Sequence, residues 1–109
     1  MRRNISLSNK IAVVVYDNAL TLNDDYSLNR SASIILADSL TKDIIFSLPS
    51  TAEYKGHKYL IKKIDSSVYS VTINASGSDK IDGESSFVIN TQWDSLNIFS
   101  NGFNWIIIS

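Results

Sequence analysis

His57 is the only histidine in the chain, and cysteine is absent. Acid–base catalysis near neutral pH most often uses histidine, and a catalytic triad needs one as its base. Zinc sites are built mainly from histidine and cysteine side chains. Because His57 follows Gly56 in a predicted turn, we interpret it as a solvated loop residue. The sequence therefore predicts neither a metal site nor a cofactor.

Carboxylates are the other side chains that could carry chemistry, and they cluster at Asp24-Asp25 and at Asp79, Asp82 and Glu84. A pair of carboxylates in a cleft can hydrolyse glycosides, and an oxygen-rich loop can bind calcium. The second cluster lacks the spacing of an EF-hand loop. We interpret both clusters as turn-forming acids in water, and we predict that the protein is not an enzyme.

Basic and aromatic residues alternate in one stretch, which contains Tyr54, Lys55, Lys58, Tyr59, Lys62 and Lys63. Such a mixture can clamp single-stranded nucleic acid. Strand alternation, however, sends Lys62 and Lys63 to opposite faces, so no single patch forms. The net charge of -1 also gives no field that would gather phosphates. We therefore predict no nucleic-acid partner.

The elements that must position these residues are short strands, because apolar and polar residues alternate between closely spaced turns. We predict an all-β fold, a small antiparallel β-sandwich or prism of about eight short strands. No internal repeat is evident. Asn101-Gly102 lies between two apolar runs and predicts a hairpin with a type I′ turn. The longer predicted strands cover residues 11–16, 33–37, 43–48, 58–65, 68–75, 86–91, 96–99 and 103–108.

The length of 109 residues fits one domain. We interpret residues 1–20 as an N-terminal arm or strand that could serve for attachment, and residues 21–109 as the β-domain. The basic start, Met1-Arg2-Arg3, is not followed by the apolar segment of a signal peptide. No apolar run approaches the roughly 18 residues of a membrane-spanning helix. The sequence predicts no membrane insertion.

Two predicted strands, 11–16 and 105–108, are apolar on both faces. A strand of this kind is covered on both faces, and a domain of this size has limited interior. We therefore expect copies of the chain to associate. Because both faces of these strands are apolar, the two-residue alternation does not show which side chains lie in the core and which form the contact. The candidates for the contact are Val13, Val15, Phe99, Trp105 and Ile107.

An ordered series of motifs in residues ~40 to 108 resembles a known β-domain. It runs through Leu48-Pro49, Gly56, the strand 59–63 ending in Asp65, Val71-Thr72-Ile73, Gly77, Ile81-Asp82-Gly83 and Ser100-Asn101-Gly102 before Asn104-Trp105. The series is similar to the small β-domain of bacteriophage tail-fibre and head-fibre proteins. The same domain is found in spike and minor capsid proteins of large DNA viruses.

The resemblance implies a virion structural protein, a capsid-associated spike, fibre or decoration component without enzymatic activity. It further implies a homotrimer, other capsid or tail proteins as partners, and a host glycan or receptor as a further ligand. A different class of protein, a carbohydrate-binding β-sandwich module, stays open as the alternative. Such a module needs an exposed aromatic platform, for which the candidates are Tyr54, Tyr69 and Trp93.

Overall fold

The computed structural model describes residues 19–109, which form β-strands and turns. Residues 1–18, with the predicted strand 11–16, lie outside the described residues. Ala19 and Leu20, which the sequence analysis gave to the arm, belong to the first strand. No helix that could cross a membrane is found between residues 19 and 109. The strands are β1 (Ala19–Leu22), β2 (Tyr26–Ser27), β3 (Ile34–Ala37), β4 (Ile44–Ser47), β5 (Lys58–Lys63), β6 (Val71–Asn74), β7 (Ser86–Ile89), β8 (Ser95–Ser100) and β9 (Trp105–Ile107).

The strands form two sheets, and the chain alternates between them from β1 to β6. The five-stranded sheet has the order β1-β3-β5-β8-β9, and the four-stranded sheet has the order β2-β4-β6-β7. Each turn of the chain thus adds one strand to each sheet, in the manner of a short solenoid. After β6 the winding stops, because β7 returns antiparallel to β6 and the β8–β9 hairpin closes the other sheet against β5.

The all-β class is confirmed, whereas the prediction of a mostly antiparallel sandwich is wrong. β1, β3 and β5 are parallel neighbours in one sheet, and β2, β4 and β6 are parallel neighbours in the other. Parallel neighbours need a long crossover between them. Here the crossover out of one sheet is itself a strand of the other sheet. The connections from β1 to β4 are therefore short and resemble hairpin loops in the sequence, whereas the connection from β4 to β5 covers residues 48–57.

The core lies between the two sheets and is filled from both. Ile44 and Phe46 of β4 point inward and are fully buried, as their alternation predicts, while Ile45 points outward. Tyr59 and Ile61 of β5 and Leu96 and Ile98 of β8 complete the opposite wall of the same apolar cluster. Because inward side chains of both sheets form one cluster, the described residues fold around a single core.

The predicted hairpin at Asn101-Gly102 is confirmed, but its turn is not the two-residue type I′. Ser100 pairs with Trp105, so four residues connect β8 to β9. The Asn101 carboxamide Oδ1 accepts hydrogen bonds from the backbone N–H groups of Phe103 and Asn104, both at 2.9 Å. Gly102 has a φ of 93°, a conformation that glycine adopts without steric cost.

Candidate functional site

The outer face of the five-stranded sheet carries apolar side chains on four neighbouring strands. Strand alternation turns them away from the core, so they are not part of the buried cluster. Ile34, Ile106 and Ile108 are 40%, 38% and 49% exposed. We call this surface the apolar face and define it by Ile34, Leu36, Leu60, Phe99, Ile106 and Ile108.

The register of the strands groups part of the apolar face into cross-strand pairs, while Lys58, Lys62 and Asn97 lie between them on β5 and β8. Ile34 pairs with Leu60, and Phe99 pairs with Ile106, so apolar side chains meet across neighbouring strands. Side chains directly opposite on one face of a sheet are in contact range. Lys58, opposite Phe99, and Lys62, opposite Ser95, are the charged residues that the paired strands contribute to this face. The face is therefore rich in apolar side chains but is interrupted on its central strands by two lysines and an asparagine.

The outer face of the four-stranded sheet has a different composition. Its outward positions carry hydroxyl and amide side chains, interrupted by Ile45 and Val88. These polar positions are Ser27, Ser47, Thr72, Asn74 and Ser86. Such a face is satisfied by water, so only the other sheet has a surplus of apolar surface.

Three of the five predicted contact residues lie among the described residues, and the structure places them in different environments. Phe99 is outward and half-buried on the apolar face. Trp105 is fully buried in the chain's own core, so its assignment to a subunit contact is wrong. Ile107 packs against that core but stays partly exposed, so its assignment stays a prediction. Val13 and Val15 lie outside the described residues. Because β9 is apolar at every position, its sequence could not show that Ile106, not its neighbours, points outward.

A buried ion pair, which the sequence analysis missed, lies where β5 ends. Lys63 Nζ donates to Asp65 Oδ2 at 2.7 Å and to Ser39 Oγ at 2.8 Å. The backbone N–H groups of Ser39 and Ser67 donate to the two oxygens of the same carboxylate. Lys63 lies on the same side of β5 as Tyr59 and Ile61, and this alternation was the signal in the sequence that its side chain points inward.

This ion pair is structural in character, because its polar atoms are already paired with one another. Burial alone would raise the pKa of Asp65, but hydrogen bonds from Lys63, Ser67 and Ser39 outweigh it and hold that pKa well below the usual range. The network joins residues that follow β3 to residues that follow β5. It therefore fastens two connections at one end of the sandwich.

His57 is half-buried rather than solvated, which corrects the interpretation from sequence. Its ring lies between Tyr54 and Tyr59, with ring centroids 5.5 and 4.5 Å away. Its Nε2 is buried without a hydrogen-bond partner among the described residues. Burial lowers the pKa of His57, the charge of Arg30 lowers it further, and a hydrogen bond with the Ala32 backbone opposes both.

The depressed pKa of His57 predicts that stability falls on mild acidification. As the pH drops below 6.5, the ordinary pKa of histidine, the unfolded chain takes up the proton before the folded chain does. The free energy of unfolding therefore falls from about that pH down to the folded-state pKa of His57. We expect the urea midpoint to fall between roughly pH 7.5 and 5.5. The variant His57→Gln, measured at the same chain concentration, should lose much of that slope. An unchanged slope in the variant would show that His57 takes up its proton over the same pH range in the folded and unfolded states.

The acidic clusters lie in connections between strands, but Asp79 and Asp82 are not simply solvated, because each accepts a hydrogen bond from a segment distant in the sequence. The carboxylate of Asp79 accepts a hydrogen bond from the Thr51 N–H at 2.9 Å, and that of Asp82 accepts one from the Ile107 N–H at 3.0 Å. Asp24 forms an exposed ion pair with Lys42 at 2.7 Å. From residue 19 onward, no group of three potential metal ligands could hold an ion.

The three aromatic residues named for a platform are not equivalent. Tyr54 packs against the core, and the Arg30 guanidinium covers its ring at 4.0 Å. Tyr69 is 40% exposed and does not line a groove with Trp93. Trp93 is 60% exposed and borders an open groove of about 320 Å³. Of the three, Trp93 alone combines an exposed ring with a concave surface.

Comparison of the sequence with known proteins assigns no family to this chain. No protein-family model matches the sequence, and no curated protein matches it either. The function is therefore argued from the apolar face, the buried network and the groove themselves.

Proposed function

We propose that this chain is a non-enzymatic structural protein of a virion, a spike, fibre or decoration component that works by assembling into a homotrimer. The observation that carries the proposal is the apolar face of the five-stranded sheet. Exposed apolar side chains gathered on one face of a sheet favour a protein–protein contact. A second copy supplies the same kind of surface, and oligomers of identical chains are closed by rotational symmetry.

The rest of the molecule suits an exposed structural role. The two outer faces differ, so one sheet can meet its copies while the hydroxyl- and amide-bearing sheet stays in water. Side-chain hydrogen bonds tie the chain at the ends of strands, as at Asp65 and Asn101. The assignment to a virion and the number of three subunits come from the resemblance to viral fibre and spike domains.

Light scattering at micromolar chain concentration tests the assembly. We expect a mass three times that of the chain for the unmodified protein. Ile106→Lys should give the mass of a single chain, because a buried, unpaired ammonium is costly at a subunit contact. Ile45→Lys is the matched control, since Ile45 is 42% exposed on the other outer face and Ile106 is 38% exposed.

Two results would contradict this proposal separately. A single-chain mass for the unmodified protein would remove the assembly, and equal behaviour of the two lysine variants would remove the apolar face as its site. Mass spectrometry of purified virus particles from the host tests the location. Absence of the chain from particles would remove the virion role while leaving the assembly untouched.

A further inference from the structure

Trp93 has a backbone conformation that is unfavourable for a bulky residue. It is the third residue of a turn in which the Asp94 N–H donates to the Thr91 carbonyl at 3.1 Å. Its φ is 74°, in the left-handed region that glycine or asparagine normally takes at this place in a turn. Its own N–H donates to the Lys63 carbonyl at 2.8 Å, which fixes the turn against the end of β5.

Burial of the indole does not offset this conformational cost. The side chain is 60% exposed, and it makes no part of the apolar core. Lys62 Nζ lies 5.7 Å from the ring centroid, near the outer limit for a cation–π contact. A strained residue held in place by its surroundings points to a use outside folding.

The surroundings of the ring supply hydrogen-bonding groups. The groove runs between the end of β7 and the start of β8, and exposed Asn90, Asp94 and Ser95 line it beside Trp93. Its volume of about 320 Å³ is at the small end of the range for ligand sites. A flat apolar ring thus faces a carboxylate, a carboxamide and a hydroxyl.

We propose that this groove binds one hexopyranose unit of a glycan. The C–H face of a pyranose ring stacks on the indole of Trp93, and the sugar hydroxyls bond to Asp94, Asn90 and Ser95. The inference goes beyond the proposed function, because it adds a ligand site on a surface that the assembly does not use. Nucleobases could stack on the same ring with Lys62 near their phosphates, so single-stranded oligonucleotide is the competing ligand that the test includes. A methylated ammonium would require several rings around it.

The two tryptophans make the binding measurable in the full chain. Trp105 is fully buried and Trp93 is exposed, so acrylamide quenches mainly the emission of Trp93. The probes are the methyl pyranosides of glucose, galactose and mannose, and N-acetylglucosamine and N-acetylgalactosamine, each at millimolar concentration. We expect at least one of them to abolish most of the quenching and to show saturation transfer by NMR.

Variants separate a binding role from a structural one. Trp93→Asn should abolish saturation transfer while the protein unfolds at an equal or higher urea concentration, since asparagine tolerates the left-handed backbone. Phe103→Asn is the matched control and should keep binding, because Phe103 is 77% exposed at the β8–β9 hairpin and does not line the groove.

Three results would overturn the inference. The first is that none of the sugars protects Trp93 from acrylamide quenching. The second is that single-stranded oligonucleotide or tetramethylammonium protects it instead. A Trp93 that acrylamide cannot reach without sugar would place the ring in a subunit contact. A trimer that binds no sugar would refute the groove alone, and a sugar-binding single chain would refute the assembly alone.

Discussion

Replacing Lys63 with methionine is expected to lower the free energy of unfolding by about 3–5 kcal/mol. The ammonium of Lys63 is fully buried, and the Asp65 side chain is 5% exposed. Methionine fills much of the same volume but leaves the carboxylate without its countercharge. The hydrogen bonds from Ser39 and Ser67 remain, yet neutral donors do not replace a cation. Removing one partner of a buried pair costs more than the pair itself contributes.

Lys62→Met is the matched control for this prediction. Lys62 is the preceding residue on the same strand and points to the outer face. Its replacement should change the free energy of unfolding by no more than about 0.5 kcal/mol. Urea unfolding at equal chain concentration compares the two variants. Similar losses for both would mean that the buried pair does not hold the connections after β3 and β5 together.

Replacing Trp105 with alanine is expected to cost about 3–5 kcal/mol of unfolding free energy. The indole is fully buried and lies 5.5 Å from the ring of Tyr59, so truncation leaves a cavity in the centre of the core. The backbone of Trp105 also bonds to Lys80 and Asp82, which anchors β9 to the loop before β7. A domain with a stability of about 5–15 kcal/mol would lose a large share of it.

Trp105→Phe serves as the comparison for this loss. Phenylalanine keeps most of the ring and removes the indole N–H, which is buried without a partner among the described residues. We expect a loss clearly smaller than for alanine, measured by the same urea unfolding. If Trp105→Ala instead unfolded like the unmodified protein and only its mass in solution fell, Trp105 would belong to a subunit contact after all.

The positions of β3 to β9 could be predicted from the sequence, because the two-residue alternation in stretches such as 43–48 and 58–65 is a local property. The short strands β1 and β2 were not among the predicted strands. The partners of the strands could not be predicted. A turn after Ala37 looks the same whether the next strand pairs with β3 or crosses to the other sheet. In addition, residue 19 pairs with 34, residue 34 with 60, and residue 44 with 71, so successive turns of the winding differ in length and leave no visible repeat.

The candidate surfaces could be predicted from the sequence only in part. A surplus of apolar strand residues pointed to an apolar outer face, but in β9 every residue is apolar, so Trp105 and Ile106 could not be told apart. Lys63 stood at an inward position, where alternation alone predicts an apolar side chain. Trp93 was a candidate platform, while its left-handed backbone and the groove beside it are properties of the folded chain.

The winding between β1 and β6 allows the fold to be lengthened by further circuits of the chain. Because one circuit of the chain contributes a strand to both layers, inserting a whole circuit would make the molecule taller without shifting the inward and outward positions of its neighbours. The circuits already tolerate unequal connections. The reversed strands β7 to β9 act as a stop at the far end. Height can thus be varied circuit by circuit, while the tip that carries the groove stays constant.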